Sequence, residues 1–272
     1  MTSRQYAEVI GDPIAQSRSP DIHGFWIEQL GIDADYGRKQ VGRAGLKAYL
    51  DAARADPHWR GCNITMPLKL DALTLADEAS DRALGTGAAN IIVPREGKLL
   101  AGNTDVGAIA KLIEQLARSG APMRAVTLLG SGGSARSVLT ALHLIGIRQV
   151  RIQSRNVSEA YALAVQHKLE VEPVPFDTPI EGDGLINATP LGMTGQLPLD
   201  IDYSHLTANG WIIDLVTSPN PTELVRLAKT RGLNAVGGIG MLVEQAAESF
   251  KLFFGKEPPR DKDGELMQRL GA

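Results

Sequence analysis

Asn63-Ile64-Thr65-Met66-Pro67-Leu68-Lys69 brings an amide, a hydroxyl and an ammonium together where an apolar, strand-like run meets a proline. Pro67 has no backbone N–H and holds the preceding residue extended, so Asn63 and Thr65 are expected to lean to one side of the strand, with Lys69 just past its end. In Gly102-Asn103-Thr104-Asp105-Val106-Gly107 a carboxylate sits between two glycines, where the backbone can turn tightly and approach a ligand. GDPIAQSRSPDIHGFW places Ser17 and Ser19 beside Pro20, on a loop after a short apolar strand. Such groups would hold a polar small molecule and manage one proton. Each also has a plainer use: Pro67 ends a strand, Lys69 is a solvated charge, and Asp105 caps the apolar helix that follows.

AVTLLGSGGSARSVLTALHLIG reads as a strand, a glycine turn and an amphipathic helix, the context a dinucleotide fingerprint requires. Gly130, Gly132 and Gly133 would let the backbone approach a pyrophosphate, whose charge is favoured at the helix N-terminus. The pattern departs from strict GxGxxG, because Arg136 lies beyond Ala135 where the third glycine would stand. After the second strand, VRIQS, an NAD enzyme usually offers an acid to the ribose, whereas this chain has Ser154-Arg155-Asn156. The planar fork of Arg155 suits a 2′-phosphate, which points to NADP. A ligand-free tight turn and a surface arginine ending a strand are the structural alternatives.

Strand-like runs near Glu8–Ile10, Ala34–Val41, Gly61–Met66, Ala88–Val93, Ala125–Leu129, Val150–Gln153, Gly184–Asn187 and Trp211–Val216 alternate with helical segments. That order implies an α/β protein with mostly parallel sheets. The first half forms one α/β unit and the GSGGS region begins another, joined by the helix that Asp105 should cap. Near the C-terminus, Leu242, Ala246 and Phe250, with Val243, Ala247 and Phe254, form an apolar helix face with Gln245 beside it.

The chain has 272 residues, 43% of them hydrophobic, and a formal charge of −3, which fits two ordinary domains. It has no apolar run of about 18 or more residues, and Met1 to Ile10 lacks a signal-peptide apolar region, so a cytoplasmic protein without membrane partners is expected. Cys62 is the single cysteine, and the five histidines show neither HExxH spacing nor a partner cluster, so no metal site is expected. The near-neutral charge and absence of a basic run argue against nucleic acid.

Taken together, the motifs resemble those of the shikimate dehydrogenases, which reduce 3-dehydroshikimate to shikimate with a nicotinamide cofactor. They run through the whole chain: GDPIAQSRSP, NITMPLK, GAAN at Gly87–Asn90, GNTDVG, GSGGSAR at Gly130–Arg136, NATPLGM at Asn187–Met193 and GIGMLVEQAAESF at Gly238–Phe250. The resemblance implies two α/β domains flanking a cleft. Residues 1–104, completed by 237–272, would bind substrate, and residues 105–236 would form a Rossmann-like domain for NADP. It implies substrate contacts from Ser17, Ser19, Asn63, Thr65, Lys69, Asn90, Asp105 and Gln245, with Lys69 and Asp105 as the catalytic pair. Cofactor contacts would come from Gly130, Ser131, Gly132, Gly133, Ser134, Ser154, Arg155, Asn187, Thr189 and Gly238. The assembly would be a monomer or homodimer acting in aromatic amino acid biosynthesis.

The chain departs from the family pattern at Gln16, where histidine is usual, at Gly24, where asparagine often follows His23, and at Ile91, where threonine is common. Thr217 stands where a tyrosine commonly reaches the substrate. Ser154 replaces an asparagine, and Glu159 falls near the place of a second basic residue. A broader quinate/shikimate dehydrogenase is therefore one alternative. A non-catalytic NADP-sensing regulatory protein is another, against which the retention of Lys69 and Asp105 speaks.

Overall fold

Alternation of apolar strand and helix begins at β1 (Gln5–Gly11) and continues through α1 (Ser19–Leu30), β2 (Ala34–Gln40), α2 (Leu46–Arg54), β3 (Trp59–Ile64), α3 (Lys69–Leu75), β4 (Glu78–Ala79), α4 (Asp81–Thr86), β5 (Ile91–Arg95) and β6 (Lys98–Gly102). The computed structural model describes residues 4–167 and 169–271. Its chain divides into two units: the first ends at Thr104 and resumes at Val243, and the second runs from Asp105 to Leu242.

In the first unit the strand order is β2-β1-β3-β5-β6-β4. β1 pairs parallel with β2 and β3, and β4 parallel with β6, but β5 runs antiparallel to both β3 and β6. Leu46, Tyr49, Leu50 and Ala53 of α2 cluster with Ile10, Trp59, Cys62 and Ile64 of the sheet. A separate cluster joins Ala7 and Ile91 to Phe253, so apolar residues of this sheet serve two helical coverings.

The second unit contains α5 (Asp105–Arg118), β7 (Ala125–Leu129), α6 (Gly133–Leu144), β8 (Gln149–Gln153), α7 (Val157–His167), β9 (Glu170–Val174), β10 (Glu181–Asn187), β11 (His205–Asp214), α8 (Glu223–Thr230) and β12 (Asn234–Gly237). Its sheet order is β12-β11-β10-β7-β8-β9, and every neighbouring pair is parallel. Successive residues face opposite sides: Leu128, Ile186 and Ile213 join a cluster with α5 and α6, while Leu129, Leu185 and Ile212 join one with α8. Burial on both faces explains why these strands read as continuous apolar runs.

α9 (Gly238–Phe254) and α10 (Asp263–Arg269) complete the chain, and from Val243 onward its residues belong to the first unit. The buried positions of α9 there are Val243, Gln245, Ala246, Ser249, Phe250 and Phe253, whereas Leu242, Ala247 and Phe254 are only half-buried. The face is thus rotated from the expected one and takes in two polar residues. Phe250 packs edge-on against Trp26 of α1, ring centroids 5.5 Å apart.

Several expected boundaries shift. β3 ends at Ile64, so Thr65 lies beyond the strand rather than two positions along it from Asn63, and β5 begins at Ile91, after Asn90. Asp105 is the first residue of α5 instead of its cap. Strands β4, β6, β9 and β12 had no counterpart among the expected runs.

Candidate active site

In the first unit, polar side chains from distant segments meet in one buried array. Asn63, at the end of β3, donates from Nδ2 to Ser249 Oγ at 2.9 Å, and its Oδ1 accepts from the Tyr36 hydroxyl at 2.6 Å. Asn90 donates from Nδ2 to Thr104 Oγ1 at 2.8 Å and accepts from the Thr104 backbone N–H at 2.8 Å, so both ends of its amide are committed to the segment before α5. Thr104 donates onward to Gln245 Oε1 at 3.4 Å. Ser249 donates to the Gln245 carbonyl at 3.0 Å, the i to i−4 bond of a helical serine, which holds Gln245 and Ser249 on one face of α9. Buried amides are costly unless paired, and pairing fixes their orientation.

The loop after β1 joins the array through Ser19, whose side chain hydrogen-bonds Tyr36. Ser17 donates to Ser19 Oγ at 3.3 Å and is half-buried. Thr65 is half-buried next to Gly11, where a Cβ would collide with its methyl group. Lys69 opens α3 and is half-buried; its carbonyl accepts from Ala89 N at 2.8 Å, tying the start of this helix to the segment carrying Asn90. Asp105 is buried at the first turn of α5, where the helix dipole favours a negative charge.

Tyr36, Thr104 and Ser249 were not foreseen as members of this array. Thr104 stands beside Asp105 in GNTDVG and Ser249 stands four residues after Gln245, but only the fold brings them to Asn63 and Asn90. Burial pushes the Tyr36 phenol well above its usual pKa, so it remains a donor. His23 lies flat on Tyr36, centroids 3.9 Å apart with planes at 2°, and burial lowers its pKa to about 3.

In the second unit the glycine turn follows β7, next to β10 at the point where the strand order reverses. Gly130 has φ +103°, and a Cβ there would stand 3.1 Å from the Thr189 methyl and 3.3 Å from the Ala188 carbonyl oxygen. Gly132 occupies the cap position of α6 without a side-chain cap, leaving the first-turn amides to a ligand or water. Ser134 lies in that first turn. A glycine turn that a side chain would fill, next to an uncapped helix start, fits a dinucleotide pyrophosphate.

Asn187, fully buried at the end of β10, donates to Asp214 Oδ1 at 2.9 Å, and its Oδ1 accepts from the N–H and hydroxyl of Thr189 at 3.0 and 2.7 Å. Its side chain shapes the Asn187–Met193 loop from beneath. Burial raises the pKa of Asp214, against hydrogen bonds from Thr222, Val216 N and Asn187 that lower it. Gly238 begins α9 under the Leu215 and Val216 carbonyls, each 2.6 Å from where a Cβ would stand. Ser154 is buried at the end of β8, its Oγ 3.1 Å from Ser131 Oγ, and Arg155 beside it is exposed. Ser131 also donates to Glu159 Oε2 at 2.9 Å, so an acid reaches the turn from α7.

A parallel sheet in the order 3-2-1-4-5-6 with a glycine turn at its switch point defines a dinucleotide-binding α/β protein. Residues 9–92 match the shikimate dehydrogenase substrate binding domain, and residues 238–263 the shikimate 5'-dehydrogenase C-terminal domain. The shikimate dehydrogenase (NADP(+)) of Sphingopyxis alaskensis is 44% identical over 98% of this chain and 97% of its own. Among solved structures, the Thermus thermophilus shikimate 5-dehydrogenase in complex with NADP(H) and shikimate has a TM-score of 0.85 and 32% identity, covering 98% of this chain and 99% of its own. A quinate dehydrogenase from Corynebacterium glutamicum in complex with NAD has the same TM-score at 31% identity and the same coverage. The chain belongs to the shikimate dehydrogenase family.

Proposed function

We propose that the chain is an NADP-dependent shikimate dehydrogenase that reversibly reduces 3-dehydroshikimate to shikimate in aromatic amino acid biosynthesis. The observation that carries this reading is the buried array in which Asn63, Asn90 and Gln245 are held by Tyr36, Thr104 and Ser249. A polyhydroxylated ring acid needs such fixed groups, because hydroxyls and amides both donate and accept. No helix among the described residues is long and apolar enough to cross a membrane, in keeping with a cytoplasmic biosynthetic enzyme.

Ser17, Ser19 and Thr65 are assigned to the substrate carboxylate, and Asn90 with Asp105 to ring hydroxyls. NADPH, when bound, would supply the hydride. Lys69 gives a proton to the carbonyl oxygen as it gains charge, and on oxidation takes the hydroxyl proton back. Asp105 directs the ammonium group and holds the neighbouring ring hydroxyl. The turn from Gly130 to Gly133, with Ser131 and Ser134, would hold the pyrophosphate, and Arg155 and Ser154 would hold the 2′-phosphate end. Thr189 and Gly238 supply the remaining surface, positioned by Asn187.

A second reading, broader quinate/shikimate specificity, is favoured by Thr217, a half-buried small residue after β11 where the family commonly carries tyrosine. Following nicotinamide absorbance with shikimate, quinate or no substrate separates the readings. Turnover with shikimate well above quinate is expected. Comparable rates would establish the broader enzyme, and no turnover with either would leave a binding protein.

A further inference from the structure

An acid is missing from the end of β8, where Ser154-Arg155-Asn156 stands, yet the fold returns one to the same place. Glu159 lies in the first turn of α7, its N–H donating to Asn156 Oδ1 at 3.1 Å. Ser131 of the glycine turn donates to Glu159 Oε2 at 2.9 Å, and the same hydroxyl lies 3.1 Å from Ser154 Oγ. The carboxylate is therefore held by the glycine turn, and its backbone N–H by the segment after β8, at the region where a dinucleotide's adenosine ribose belongs in this fold. It is half-buried, and its Oε1 accepts no hydrogen bond among the described residues. Arg136, in α6, acts on it through space without a direct ion pair; the guanidinium is held by Gln166 at 2.8 Å.

A carboxylate with a spare oxygen is the natural acceptor for vicinal ribose hydroxyls and a poor neighbour for a 2′-phosphate. Exposed Arg155, two residues from the N-terminal end of α7, provides the opposite preference. We infer that Glu159 is a cofactor-discriminating residue that accepts the ribose hydroxyls of the non-phosphorylated dinucleotide, so that this enzyme binds NAD(H) as well as NADP(H). The inference rests on the proposed reading of the second unit as the cofactor domain and adds a second cofactor to it. Glu159 and Arg155 then act in opposition: one selects a diol, the other a phosphate.

Calorimetric titration of the full chain with NAD+ and with NADP+, for wild type and Glu159→Gln, tests this without reference to turnover. Wild type is expected to bind both. Glu159→Gln should weaken NAD+ by about 10-fold or more, the loss expected for a hydrogen bond to a charged group, and should tighten NADP+. Ser131→Ala is a second variant should Glu159→Gln not fold: it frees the carboxylate without removing its charge, and should weaken NAD+ more than NADP+, the two sharing any loss at the pyrophosphate. Wild type that binds NADP+ but not NAD+, or variants with an unchanged ratio of the two affinities, overturns the inference and leaves the cofactor domain standing. Wild type that binds neither overturns both.

Discussion

The Tyr36 hydroxyl donates to Asn63 Oδ1 at 2.6 Å, which fixes the amide so that its Nδ2 faces Ser249. Asn63 is thereby aligned by a residue 27 positions away on a strand that does not neighbour its own, since β1 lies between β2 and β3. Tyr36→Phe removes that donor while keeping the ring on His23. It is expected to raise KM for shikimate about 3- to 10-fold with a smaller fall in kcat, and to cost about 1–2 kcal/mol of stability. Steady-state kinetics and denaturant unfolding check both; an unchanged KM would remove Asn63 alignment as a determinant of binding.

Acid should destabilise this fold through His23. Neither ring nitrogen has a hydrogen-bond partner among the described residues, and burial lowers the native pKa to about 3 against about 6.5 in the unfolded chain. Between those values the unfolded state binds a proton that the native state refuses. The stabilisation is fully present above about pH 6.5 and falls by about 1.4 kcal/mol per pH unit as pH drops toward 3. His167, lowered to about 4 chiefly by burial, adds a similar slope over a narrower range. Urea unfolding from pH 7 to 4 should be flatter for His23→Phe than for wild type; equal slopes would show that His23 is protonated or hydrated in the native state.

The parts of the fold that were legible in the sequence depend on local patterns, and the parts that were not depend on long-range pairing. β7 and β8 read clearly because both faces are buried. β9 did not, because Pro173 argues against a strand interior; it is tolerated because β9 pairs only with β8, at the sheet edge. β6 forms a hairpin with β5 through Glu96 and Gly97, both at positive φ, a turn signal that Glu-Gly carries weakly. In the binding array the expected residues were visible as motifs; their partners Thr104 and Ser249 lie inside two of those motifs without standing out, and Tyr36 lies in none. Ser249 reaches Asn63 across 186 positions, a distance no spacing rule spans.

Gly130→Ala should damage cofactor binding more than substrate binding. The position requires φ +103°, and the new methyl would stand 3.1 Å from Thr189 Cγ2. Backbone strain there costs roughly 1–3 kcal/mol. NADP+ affinity measured by calorimetry should fall at least 10-fold while KM for shikimate changes little. Normal NADP+ affinity would place the pyrophosphate elsewhere.

Lys69→Ala tests the account most directly, because Lys69 is the one residue assigned to move the reaction's proton. With 3-dehydroshikimate and NADPH, wild type should turn over and Lys69→Ala should lose roughly 10²–10⁴-fold in kcat, with a smaller change in KM. A variant with wild-type kcat and only a raised KM would make Lys69 a binding residue and contradict the proposed mechanism.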